Sequence, residues 1–312
     1  MIEPTRQRGV ALLTAMLIMA LAAIISTAMI ASMTLAMHRS GNIWNAQQAW
    51  WYGIGIENWL GTQLREDARH SKIDTLKEAW AQPVDYLPID GGSISGQIVD
   101  LQGRFNLNNL ALGNAESSTA QFVRLIEAVS DTDEITARTI AQATRDWIDD
   151  DIQPARPYGA EDDYYLGLSP AYRTGNTLMV SPSELRAVRG MTPQLYRRLA
   201  PYICALPTAT AINVDTAGAP VLQSLLPDLP DNSGQQLAAA RQDSPWESTQ
   251  AFLQADAVAG QPAKGISIAV STDYFLVSGR ISVGNSATQF YAVLHRSGNG
   301  AVEVVRHATQ AY

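Results

Sequence analysis

From Val10 to Met37 the chain carries no charge, no glycine and no proline, and every side chain is apolar or a small Ala, Ser or Thr. As a helix this run is roughly 42 Å long at ~1.5 Å per residue. About 20 such residues suffice to cross the hydrocarbon of a bilayer, and the apolar part of an ordinary signal peptide is shorter, at about 7–15 residues. A soluble core helix is seldom apolar on every side over such a length. The pattern predicts a membrane span. After Met37 it becomes amphipathic. Ile43, Trp44, Trp50, Trp51, Ile54, Ile56, Trp59, Leu60 and Leu64 recur at steps of three and four among Asn, Gln and Glu, as on one face of a helix. One helix is expected to run through both parts, with its second half packed on a sheet.

Beyond it, Gly91-Gly92 marks a turn, and Ser93 to Leu101 partly alternates, as a strand does. From Ser117 to Trp246 the signals are helical. Phe122, Leu125, Ile126 and Val129 share a face, and Ile135, Ile140 and Trp147 continue in a second helix. Ser181-Pro182-Ser183-Glu184 is a capping box with Pro at the first helical position. Thr192-Pro193 opens another helix in the same way, and Ala217–Leu226 and Gly234–Arg241 suggest two more. Strands return at Tyr274–Val277, Ile281–Val283, Phe290–His295 and Val302–Val305, punctuated by Gly284-Asn285 and Gly298-Asn299-Gly300. A sheet interrupted in sequence by a helical block implies an inserted domain.

Composition narrows the function. The 312 residues are 46% hydrophobic and 17% charged, as in a globular chain, with a formal net charge of −8. That balance disfavours broad binding to phosphate backbones and suits cations. The single cysteine, Cys204, excludes an intramolecular disulfide and reads as a small core residue. Arg6 and Arg8 precede the span, and His38 and Arg39 come after it. By the positive-inside rule the N-terminal segment stays cytoplasmic and the acidic bulk lies on the far side.

A short basic leader ending in Gly9, succeeded at once by a long apolar helix, resembles a type IV prepilin signal. The resemblance implies peptidase cleavage between Gly9 and Val10 and methylation of Val10. Two positions depart from the usual motif: the first mature residue is Val10, and the fifth, usually Glu, is Thr14. A carboxylate in hydrocarbon is costly unless paired, and in growing pili the fifth-position Glu is held to pair with a neighbour's N-terminal ammonium. The K minor pseudopilins of type II secretion systems lack this Glu and sit at the tip. Asp100-Leu101-Gln102-Gly103-Arg104-Phe105-Asn106-Leu107-Asn108 is similar to a stretch of that family, although Asn106 and Asn108 also read as residues that cap or turn a strand end.

The resemblance implies an α+β, type IV pilin-like fold with a large inserted all-α domain. Residues 1–9 would be the leader and 10–37 the membrane part of the helix. The first part of the pilin-like domain would be 38–110, the insertion 111–262 and the closing strands 263–312. It implies a non-enzymatic tip protein that nucleates and caps the pseudopilus for export of folded exoproteins. The chain would sit in the inner membrane with its bulk in the periplasm. Expected partners are minor pseudopilins of the I and J types, the major pseudopilin and the prepilin peptidase, with secreted exoproteins as further candidates and no nucleic acid.

Asp131 to Asp163 holds ten carboxylates against three arginines. Pro154 and Pro157 make Ile152–Tyr158 a loop that could fold two acidic clusters together. Carboxylates so placed repel unless a cation lies between them, and Ca²⁺ takes six to eight oxygens in flexible geometry. The spacing is not that of an EF-hand, and a solvated acidic face has the same composition. Asp146-Trp147-Ile148-Asp149-Asp150-Asp151, Gly159 to Tyr165 and Tyr172-Arg173-Thr174-Gly175-Asn176 are similar to a K-pseudopilin block whose domain binds calcium. By that resemblance Asp149, Asp151, Glu161, Asp162 and Asn176 are candidate ligands, with Asp146 and Asp163 behind them.

No H-E-x-x-H, G-x-S-x-G or phosphate loop is present, so nothing marks an enzyme. A second reading is a membrane-tethered DNA receptor. Glu184–Pro193 and Ile212–Ala217 resemble helix-hairpin-helix repeats, with Arg186, Arg189, Arg197 and Arg198 near the first. Asp215, Asp228 and Asp231, near the second, would repel phosphate.

Overall fold

The computed structural model describes residues 8–262 and 265–309. One helix, α1 (Arg8–His70), takes in both the apolar run and its amphipathic extension, with no break at residue 37. Of the expected leader, residues 1–7 lie outside the described residues, and the backbone of Arg8 and Gly9 forms the first turn of α1. From Val10 to Met37 its side chains face outward, as a membrane span requires. The sheet-facing side begins at Ala49 and continues through Gly53, Leu60 and Leu64.

Strands β1 (Val84–Ile89) and β2 (Gly92–Asp100) form a hairpin about Asp90-Gly91, where Gly91 has φ +77°. The chain then leaves the sheet. It makes the two-residue β3 (Phe105–Asn106), α2 (Ala115–Val129), α3 (Glu134–Ile148), the single turn α4 (Asp162–Tyr165) and α5 (Pro193–Leu199). Next come β4 (Ile203–Cys204), β5 (Ile212–Asn213), α6 (Ala219–Ser224), α7 (Ser233–Asp243), α8 (Thr249–Leu253) and β6 (Ile268–Ala269). It re-enters as β7 (Tyr274–Val283), β8 (Ser286–Arg296) and β9 (Val302–Thr309). The five long strands are antiparallel in the order β1-β2-β7-β8-β9, so the helical region is inserted between two neighbouring strands. Within it, β3 pairs with β4 and β5 with β6, both parallel.

Side chains alternate across the sheet. Ile94, Ile98, Phe275, Val277, Ile281, Phe290 and Leu294 meet α1. On the other face, Tyr274, Leu276 and Val293 join Leu101, Cys204 and Leu206 under the insertion. The Cys204 thiol is fully buried and donates to the Leu101 carbonyl at 3.2 Å. Gly279 is required where it stands, since a Cβ there would lie 2.3 Å from the Phe290 ring.

The insertion has its own core, built on Phe105, Phe122, Leu125, Ile126, Ile140 and Trp147, with Phe105 stacked on Phe122. The capping box at Ser181 forms as expected, but it opens a 3₁₀ segment, Pro182–Ala187, in place of an α-helix. Ile135 lies on α3 but points to solvent, 62% exposed. Asn106 and Asn108 do more than cap. Both are fully buried. Asn106 donates to the Thr208 carbonyl and accepts from the Leu206 amide. Asn108 donates to the Met179 and Leu206 carbonyls and accepts from the Met179 amide at 2.8 Å. Two short side chains thus satisfy the backbone of two distant loops inside a core.

Sheet, helix and insertion meet at Arg296. Its guanidinium is buried and donates to both Asp74 oxygens at 2.6 and 2.5 Å, to Asp67 at 3.2 Å and to the Thr272 carbonyl at 2.9 Å. The cation lies over the Phe275 ring, 5.0 Å from its centre. Burial alone would lower the Arg296 pKa, but the bonds and charges of Asp74 and Asp67 outweigh it and the pKa is raised. Asp67 is pushed up to about 6 by burial and by the charges of Glu78 and Asp74. Removing one partner of a buried ion pair costs about 3–5 kcal/mol, because the other charge is left unpaired. Arg296→Met should therefore destabilise the chain by that order, and adding Asp74→Asn should recover part of it. Urea unfolding in detergent, monitored by circular dichroism, measures both. A loss under about 1 kcal/mol, the scale of an exposed pair, would contradict this account.

Candidate functional site

Helix α3 starts on Asp133, whose side chain accepts from the Thr136 amide, and ends at Asp149. Asp146, in its last turn, is 1% exposed. Its carboxylate turns inward to accept the Ala155 amide at 3.1 Å and the Ala160 amide at 2.7 Å. It braces the loop from 150 to 160 from within, and burial raises its pKa to about 6. Gly159 is part of the same fit, since a Cβ there would stand 2.1 Å from an Asp146 oxygen and 2.5 Å from the Ala155 nitrogen. Arg189 holds the loop from the other side through the Gly159 carbonyl at 3.1 Å.

The brace returns the chain so that Glu161 faces the end of α3. Carboxylate oxygens of Asp149, Asp151 and Glu161 lie within 4.8 Å of one another. Glu161 is 3% exposed. One of its oxygens accepts from the Thr174 hydroxyl at 3.1 Å, and the other, Oε1, is buried with no partner. Asp149 Oδ1 and Asn176 Oδ1 are likewise buried and unpartnered. Asn176 adopts φ +42° and donates to the Asp151 carbonyl at 3.2 Å. Asp162 is turned elsewhere: it accepts the Thr174 amide and hydroxyl at 3.1 Å and faces Arg173 at 3.6 Å. Asp163 is exposed in the adjoining turn.

Three buried oxygens without partners, on Asp149, Glu161 and Asn176, leave a large cost uncompensated. Burial, then the charges of Asp146, Asp149 and Asp151, push Glu161 up to about 7 against the Thr174 bond. Burial and the Asp151 charge also raise Asp149. Hard oxygen donors of this kind fit a divalent cation. A second acidic trio, Asp67, Asp74 and Glu78, differs in kind, because the Arg296 guanidinium already binds Asp67 and Asp74. The hairpin arginines are partly engaged within the fold. Arg186 lies over the Tyr196 ring, Arg189 over Tyr164, and Arg197 donates to the Pro193 carbonyl.

Two family models described as type II secretion system protein K match residues 103–208 and 212–273. Type II secretion system protein K of Pectobacterium carotovorum subsp. carotovorum is 36% identical, over 99% of this chain and 98% of its own length. The chain belongs to the type II secretion system protein K family. The K protein of Pseudomonas aeruginosa is 33% identical over 96% of this chain and 92% of its own length. A crystal structure of the GspK-GspI-GspJ complex from enterotoxigenic Escherichia coli contains a chain that matches with TM-score 0.78 and 27% identity. The match covers 88% of this chain and all of that one. The fold is therefore the expected one, a pilin-like helix and antiparallel sheet with a large helical insertion. As a K-family protein the chain is a non-enzymatic minor pseudopilin at the pseudopilus tip. It is anchored in the inner membrane by one helix, with its bulk in the periplasm.

The sequence pattern does not disclose the roles of Asp146, Gly159 and Thr174. The one signal it carries is an Asp in a last helical turn, ahead of a Pro-containing loop and a Gly.

Glu161 has a folded pKa of about 7 against an ordinary value of 4.5. Its ionisation therefore costs stability as pH rises from 4.5 to 7, and a proton relieves that cost as pH falls. A bound cation relieves the same cost at high pH. The rise in melting temperature on adding a divalent cation to the chelator-treated protein should be largest near pH 8 and shrink toward pH 5. A rise that does not change with pH would count against this site.

Proposed function

We propose that this K-family chain is made as a prepilin, cut between Gly9 and Val10 by the prepilin peptidase and methylated on Val10. It then waits in the inner membrane on residues 10–37. From there it joins minor pseudopilins of the I and J types, and the major pseudopilin adds beneath them. The relative that assembles with GspI and GspJ supports this partnership. The five-stranded sheet with α1 would form the pilin-like body, and the region inserted between β2 and β7 the cap that covers the growing end, close to any exported protein.

The observation that carries the tip position is Thr14. Its hydroxyl donates to the Ala11 carbonyl of its own helix at 2.9 Å. It thus spends its polarity locally and offers no charge to a neighbour's N-terminal ammonium. A subunit without that charge lacks the attraction that seats one pilin beneath another, so it stands first. Thr14→Glu should disturb tip assembly without preventing membrane insertion. Co-purification with I- and J-type partners reads this, and unchanged co-purification and secretion would remove Thr14 from the argument.

The metal is calcium in this reading. Asp149, Asp151 and Glu161 supply carboxylates, Asn176 its amide oxygen, and Asp162 stands beside them through Thr174. An irregular loop with clustered carboxylates suits a cation tolerant of coordination number better than magnesium, which demands near-octahedral order. Bound calcium would tie the loop after α3 to the segment holding Asn176 and favour the folded chain by mass action. Calcium should therefore raise the melting temperature more than equal magnesium, and Glu161→Gln should erase the difference.

Intact mass and N-terminal sequencing of the chain from its native membrane test the processing. A chain beginning at methylated Val10 is expected. One beginning at Met1 would overturn the prepilin assignment.

A further inference from the structure

Helix α1 leaves the membrane region at His38 and Arg39, and its next charged residue is Glu57. Four turns of a helix entering water without a charge is unusual, since a solvated face is normally charged or polar. The outward side of this stretch is aromatic. Trp44 is 69% exposed and Trp51 63%, and they stand seven residues apart on one face. Ala49 and Gly53, two residues to either side of Trp51, point the opposite way, into the sheet. Trp50 is on a third side and leans on His307, with ring centres 5.8 Å apart. The Trp44–Trp51 face is therefore directed away from the protein's own domain, and it continues the surface that residues 10–37 give to lipid. The next position of its seven-residue series is Asn58, where the aromatic character ends.

We infer that the Trp44–Trp51 face of α1 rests on the periplasmic headgroup layer of the inner membrane while the subunit is unassembled. Three observations favour lipid. The indole ring has an apolar body and a polar N–H, and it concentrates at membrane interfaces. Gln47 and Gln48 lie beside the two indoles, a mixture suited to a hydrated layer more than to a dry helix contact. The length also fits. The apolar run of ~42 Å exceeds a hydrocarbon core of ~30 Å, and an overlong span accommodates by tilting. A tilt of about 40°, the upper end of the usual range, brings the run near hydrocarbon thickness. Trp44 lies ~10 Å along the helix beyond Met37, so the tilt lowers it to the headgroups. The sheet occupies the other side of α1, so the helix can lean only toward its tryptophan face.

The test is a depth measurement on the full chain in phosphatidylethanolamine–phosphatidylglycerol vesicles. A nitroxide is attached at Gln47→Cys, between the two indoles, or at Asn58→Cys on the same face farther out. The native Cys204 is buried, with its thiol pushed up to about 12, so it does not compete for the label. Collision with a water-soluble nickel chelate should be several-fold lower at position 47 than at 58. Replacing Trp44 and Trp51 with Ser should remove the difference. Equal collision at the two positions without partners would overturn the inference. So would shielding of position 47 that arises only when other pseudopilins are reconstituted beside it, since the occupant would then be protein.

Discussion

The buried guanidinium of Arg296 is the point on which the architecture turns. It sits at the end of β8, binds Asp67 on the last turns of α1, grips Asp74 beyond them and takes the carbonyl of Thr272, where the inserted region hands the chain back to β7. One cation thereby closes three segments distant in sequence. Asp74 extends the lock through the Thr272 amide, and its carbonyl accepts from Asn213, which also binds Asp100 at the end of β2. Departure and return of the insertion are fixed within one polar network, with Thr216 completing the Asp100 carboxylate. An apolar contact there would bury the surface, but it would not set the angle at which the insertion leaves the sheet.

The acidic loop obeys the opposite logic. At Arg296 every carboxylate has a positive or donating neighbour. Around Glu161 the fold aligns Asp149, Glu161 and Asn176 with oxygens that no protein group satisfies. Asp146 spends its own charge on two loop amides to hold that arrangement. A fold that constrains a loop from inside in order to leave neighbouring oxygens bare has its energetic deficit confined to one place, where a single ion can remove it.

Legibility in the sequence depends on how local each signal is. The membrane run, the amphipathic extension and the β7–β9 hairpins each rest on residues adjacent in the chain, such as Gly284-Asn285, and these are legible. Strand β1 is not, because Asp85, Tyr86 and Pro88 on an exposed edge carry little alternation. The β3–β4 ladder joins Phe105 to Ile203, across nearly a hundred positions, and no local pattern announces it. Asn106 and Asn108 read as turn residues because their partners, Met179 and Leu206, lie on segments that come near only after folding. At the acidic loop, composition and family resemblance supply the candidates. Which oxygens face one another depends on the brace at Asp146 and on the αL backbone of Asn176, both consequences of three-dimensional closure.

The unbroken course of α1 has a mechanical meaning. Its 63 residues form a rod of roughly 95 Å at ~1.5 Å per residue, without a proline to bend it, and its far half is fixed to the sheet through Leu60, Leu64 and Glu57, the last bonded to His307 of β9 at 2.9 Å. A push or turn applied to the end of the rod inside the bilayer reaches the periplasmic body with no hinge to absorb it. The helix is a drive shaft, and the insertion on the far face of the sheet is the load that moves with it.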